Sequence, residues 1–173
     1  MGEPVALSFV LARSASAAVR VEHVTAFPTG FEFQVVAHIA KVKHMSDPMR
    51  ALGGLRGKPL HGYPDLDADD LRLRVRYADG PEAVPPMAGH DVARIGLGSQ
   101  GPSIHVGDGS AGGSLATAMF WMWPVPPPGP LTFVCEWPRY GIPPTRRQVD
   151  AGLIREAAER AVGAWPDDEP SAT

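Results

Sequence analysis

Residues 120–138 read FWMWPVPPPGPLTFVCEWP and hold three of the chain's four tryptophans and six of its 19 prolines. Both flanks of the proline run alternate. Leu115, Thr117, Met119, Trp121 and Trp123 share one face, and Ala116, Ala118, Phe120 and Met122 share the other. After the prolines, Leu131, Phe133, Cys135 and Trp137 oppose Thr132, Val134 and Glu136. A hairpin about PVPPPGP would set Trp123 opposite Leu131, Trp121 opposite Phe133 and Met119 opposite Cys135. Both faces are then largely apolar, as expected of a central strand pair covered on both sides. The prolines fall where no ladder hydrogen bond is needed, and their fixed φ stiffens the connection. The run also matches PxxP at Pro124–Pro127 and Pro127–Pro130. No basic residue lies between Arg94 and Arg139 to anchor such a ligand, so the run reads as structure.

The segment WMWPVPPPGPLTFVCEWPRYGIP, followed by DAGLIREAAERA, resembles the C-terminal third of small uncharacterised actinobacterial proteins. The resemblance covers about fifty residues from Phe120 onward. It implies no activity and carries no functional residue onto this chain.

Period-two patterning continues outside that stretch. GFEFQVVAHIAKV places Phe31, Phe33, Val35, Ala37 and Ile39 on one face, the pattern of a half-buried strand. DLRLRVRY sets Leu71, Leu73, Val75 and Tyr77 against Arg72, Arg74 and Arg76. AVRVEHV alternates and then loses phase at His23–Val24, where a bulge is expected. ALSFVLA reads as a first strand, and DVARIGL and SIHVG as short ones. SDPMRALGG suits one short helix, with Ser46 or Asp47 as N-cap, Pro48 in the first turn and Gly53 at the end. Residues 107–114, GDGSAGGS, read as a flexible loop. DAGLIREAAERAVGAW predicts a helix over about 150–165, with Asp150 as N-cap. Thr145 and Gln148 offer an alternative capping box. The acidic tail, 167–173, reads as frayed.

These elements predict a mainly β chain: one immunoglobulin-like antiparallel β-sandwich over residues 1–166, with a short internal helix and a C-terminal helix. The 173 residues suit a single domain with a real core, and 44% hydrophobic residues argue against wholesale disorder. A net charge of −3 excludes general nucleic-acid binding. One cysteine, Cys135, excludes an internal disulfide and a cysteine zinc site, and points to a reducing cytoplasm. The run VALSFVLARSASAA resembles a leader, but Glu3 and the early stop at Arg13 favour a strand and loop. No run is long enough for a membrane span.

Chemical motifs fail their context tests. Residues 96–101, GLGSQG, match G-x-G-x-x-G, but Pro102 and a β-like segment follow instead of a helix. Ser110 lacks the nucleophile-elbow spacing. Asp65, Asp67 and Asp69 sit at calcium-loop spacing, yet Asp70 replaces the central glycine and Arg76 the closing glutamate. The six histidines show no paired ligand spacing, so no metal or cofactor is expected.

Two functional readings remain. The first is a non-catalytic protein-interaction or accessory module. Its surface would be the Arg72, Arg74, Arg76 row, with neighbouring-strand residues such as Glu22 or Glu32 as competing partners. The second is a small enzyme or small-molecule-binding protein. Its pocket would open at the Gly107–Ser114 loop, lined by Met119, Trp121 and Trp123, with His105 and Asp108 at its edge. Unpaired edge strands would also leave room for a homodimer.

Overall fold

The computed structural model describes residues 1–63, 65–78, 80, 82–85 and 102–162. Two antiparallel sheets pack as a β-sandwich. The strands are β1 (Glu3–Pro4), β2 (Phe9–Arg13), β3 (Ala17–Phe27), β4 (Gly30–Ile39), β5 (Arg72–Arg76), β6 (Glu82–Ala83), β7 (Ser103–Gly112), β8 (Leu115–Trp123), β9 (Pro130–Trp137) and β10 (Ile142–Asp150). The helices are α1 (Asp47–Arg56) and α2 (Gly152–Arg160). The first sheet runs β1-β3-β4-β8-β7, with β2 also on β3; the second runs β10-β9-β5-β6.

Alternation decides the core. Phe31, Phe33, Val35, Ala37 and Ile39 of β4 are all buried, as are Leu71, Leu73, Val75 and Tyr77 around β5. Phe33 stacks on Phe120 of β8 at 5.2 Å and meets Phe133 of β9 edge-on at 5.3 Å, so three rings join the two sheets. The phase loss in β3 is a bulge between Glu22 and Thr25, with His23 at φ 49°.

The first sheet is wider than the second, and the helices cover the excess. α1 packs against β7, β8 and β5, while α2 packs against β3, β1 and β4. α1 runs past Gly53 and ends at Gly57, whose left-handed conformation closes the helix. Gly54 allows the close approach to β5: a Cβ there would lie 2.2 Å from the Leu71 carbonyl oxygen. α2 is shorter than its sequence pattern. Ile154, Ala157 and Ala158 are buried, Leu153 is exposed, and Trp165 lies outside the described residues. Thr145 and Gln148 belong to β10, a strand the sequence did not announce, so they form no capping box. Asp150 accepts a hydrogen bond from the Gly152 N–H at 2.8 Å.

The expected β8–β9 hairpin does not form. β8 pairs with β4 and β7, and β9 pairs with β10 and β5. The proline run instead crosses from one sheet to the other. It is pinned on the way: the Tyr77 hydroxyl donates to the Pro124 carbonyl, and Arg155 Nη1 donates to the Pro126 carbonyl at 3.1 Å. Ala116, Ala118, Phe120 and Met122 form the buried side of β8, leaving the tryptophan side outward. Among the described residues the buried indole is Trp137, which packs on Tyr140 at 4.6 Å.

The predicted strand over 91–97 and the motif at 96–101 lie outside the described residues, as does the acidic tail. No helix among the described residues is long and apolar enough to cross a membrane.

Candidate functional site

The arginine row stands on the outer face of the second sheet. Leu71, Leu73, Val75 and Tyr77 point inward, so Arg72, Arg74 and Arg76 point out. β9 lies beside β5, with Arg72 opposite Glu136, Arg74 opposite Val134 and Arg76 opposite Thr132. β10 lies on the far side of β9 and sets Arg146 opposite Val134. One ladder row therefore runs Arg74, Val134, Arg146, placing two guanidinium-bearing strands about 9–10 Å apart. Arg146 is a fourth member that the sequence reading missed. IPPTRRQVD shows no alternation, so only the strand pairing reveals its face.

The expected partners of the row are replaced. Glu22 pairs with Arg20 at 2.8 Å on the first sheet, and Glu32 lies opposite Trp121 there. Instead, Glu136 sits 3.6 Å from both Arg72 Nη1 and Arg74 Nη2, and Glu82 lies 3.4 Å from Arg74 Nη1. These are long contacts at partly exposed groups, so each contributes little. Among the described residues, four arginines share the face with three carboxylates, Glu136, Glu82 and Asp150 at the end of β10. The excess positive charge suits carboxylates on a partner, and planar guanidiniums bind them bidentately.

The acidic turn beside this face is neutralised from within. Asp70 is buried, and Arg50 of α1 closes on it, donating from Nε at 3.0 Å. Asp67 accepts from Arg50 Nη2 at 3.2 Å and from Arg139 Nη2 at 2.8 Å. Its own Oδ1 accepts the Asp69 N–H at 2.8 Å. The cluster is an ion-pair latch from α1 to the turn after β9, made by the Asp67 and Asp70 carboxylates with Arg50 and Arg139. Among the described residues no group of three or more His, Cys, Asp or Glu is placed to hold a metal ion.

The pocket reading meets a different geometry. Residues 107–112 belong to β7, not to a loop; only Gly113 and Ser114 turn. A bulge between Val106 and Gly109 displaces Asp108, which is exposed. His105 faces outward opposite Trp121, with Nε2 3.3 Å from Ser103 Oγ. Met119, Trp121 and Trp123 line the outside of β8 and enclose nothing; Trp123 is 42% exposed. Two open clefts form elsewhere. One of about 680 Å³ lies between residues 4–8 and the β3 bulge, and one of about 330 Å³ lies between Gly129–Pro130 and Gln148–Asp150. Neither includes His105, Asp108 or a tryptophan.

Both long edge strands among the described residues carry features that blunt edge-to-edge pairing. β10 has Pro143, Pro144, Arg146 and Arg147, and β7 has its bulge at Gly107–Asp108. Comparison of the chain with protein-family models, with curated proteins and with solved structures finds no match.

Proposed function

We propose that this chain is a non-catalytic interaction module, acting in the cytoplasm, that holds an acidic segment of a partner protein on the outer face of its second sheet. One observation carries the reading. Among the described residues, Arg72, Arg74, Arg76 and Arg146 are gathered onto one face from the two strands that flank β9, against Glu136, Glu82 and Asp150. We take the sandwich as immunoglobulin-like in the broad sense of two face-to-face antiparallel sheets joined by crossovers. The alternative of a small enzyme at His105 and Asp108 has less support, because residues 107–112 pair with β8 as part of β7 instead of forming an open loop.

The test uses Arg76→Glu/Arg146→Glu, a pair chosen to spare the contacts of Arg72 and Arg74 with Glu136. Tagged protein is used to capture partners from lysate at low and high salt. The reading expects one specific protein, lost in the double variant and weakened by salt. Capture that survives both changes would overturn it.

A further inference from the structure

The outer face of the first sheet carries a second surface that the arginine reading does not use. Trp121 and Trp123 project from the same side of β8, about 6.6–6.8 Å apart along the strand. Trp121 lies over Gly30, where a Cβ would come within 2.8 Å of the indole, so a glycine in β4 makes room for the ring. Phe27 of β3 leans on it at 5.3 Å with a 59° tilt. Trp123 is 42% exposed at the end of the strip.

Polar groups border the strip on both sides. The register sets Glu32 opposite Trp121 and Gln34 opposite Met119 on β4. On β7 it sets His105 opposite Trp121 and Ser103 opposite Trp123. Further down, Ser110 Oγ and Thr117 Oγ1 meet at 3.0 Å across the β7–β8 ladder and break the apolar run.

Charge and shape narrow the occupant. A nucleic acid stacking on indoles needs cations beside them for its phosphates. Here the bordering residues among those described are Glu32, Gln34, Ser103 and His105, and none of these is a lysine or arginine. A buried small molecule needs a concavity, and neither cleft is lined by Trp121, Trp123, Ser103 or His105. A protein interface wants a continuous apolar centre depleted of charge, whereas this strip is narrow and carries a carboxylate alongside. A neutral saccharide meets every condition. Its C–H faces carry slight positive charge and lie on the negative faces of aromatic rings. Its hydroxyls both donate and accept, which suits a carboxylate, an amide, a hydroxyl and an imidazole in two flanking rows.

We propose that Trp121 and Trp123, flanked by Glu32, Gln34, Ser103 and His105, form an open platform for a neutral oligosaccharide. The platform is independent of the arginine face.

The experiment titrates the full chain with neutral hexasaccharides (maltohexaose, cellohexaose, laminarihexaose and xylohexaose), read by calorimetry and by tryptophan emission. Trp123→Ala, Trp123→Phe and Arg76→Glu/Arg146→Glu are run beside the wild type. Trp123 is exposed, so its replacement leaves the fold intact, which thermal melts confirm. The expected result is that at least one sugar binds with a change in emission. Trp123→Ala then weakens it about tenfold or more, Trp123→Phe keeps part of the affinity, and the arginine variant matches wild type. Three outcomes overturn the proposal: no sugar bound at millimolar concentration, binding unchanged in Trp123→Ala, or oligo(dT) changing the same emission while no sugar does.

Discussion

The Tyr140 hydroxyl donates to the Asp47 carboxylate, tying the turn after β9 to the first residue of α1. Asp47 is only 2% exposed and also accepts the N–H groups of Lys43 at 3.0 Å and His44 at 2.8 Å. Burial works against its charge, but the Tyr140 hydroxyl and the two backbone donors hold its pKa below the ordinary carboxylate value. Burial and Asp47 together push the Tyr140 hydroxyl up to about 12.

Removing that hydroxyl with Tyr140→Phe is expected to cost about 1.5–3 kcal/mol at neutral pH, the range for a hydrogen bond to a charged group. A carboxylate with a depressed folded pKa stabilises above its unfolded value and loses that contribution as pH falls through the folded one. The gap between wild type and Tyr140→Phe should therefore narrow from about pH 5 to about pH 2 in urea unfolding. A gap that stays constant over that range would detach the hydroxyl from Asp47.

Arg50→Ala should be more costly. It leaves the Asp70 carboxylate, 3% exposed, without its main partner, and breaking a buried pair from one side costs about 3–5 kcal/mol. Arg72→Ala, whose contact with Glu136 is 3.6 Å and half exposed, should cost at most about 1 kcal/mol. Equal losses in chemical denaturation would mean that α1 is not latched through Asp70.

The tryptophans should separate by the face they occupy. Trp137→Ala opens the core and should cost about 3–5 kcal/mol. Trp121→Ala removes a half-buried ring from the outer face and should cost about 1–2 kcal/mol. The reverse order would place β8 with its other side inward.

Cys135 offers a probe of opening. It is buried in β9, and burial, with Glu136 beside it, pushes its thiol up to about 12. The native protein should resist iodoacetamide at neutral pH and react once unfolded, since the thiolate is the nucleophile. Rapid labelling of the folded chain would show that β9 is accessible.

Most of the burial pattern was legible in single strands. The alternation at Phe31–Ile39 and at Leu71–Tyr77 marks the inward residues, and it places Arg72, Arg74 and Arg76 outside by the same count. β8 was harder, because Phe120 and Met122 on one side are as apolar as Met119, Trp121 and Trp123 on the other. Local pattern could not choose between them. Gly107–Gly112 lacked bulky apolar side chains to announce a strand, yet backbone pairing to β8 needs none. Arg146 was hidden because β10 is an edge strand with prolines and no alternation.

By itself the sequence determined an antiparallel, mainly β chain, two helices, and an arginine row on a sheet surface. Tertiary structure decided that β8 and β9 belong to different sheets, that Arg146 joins the row, and that the tryptophans at 121 and 123 face out. The physical reason is that side-chain alternation is a property of one strand. Which strand lies alongside, and which face is buried, depends on contacts between residues far apart in the chain.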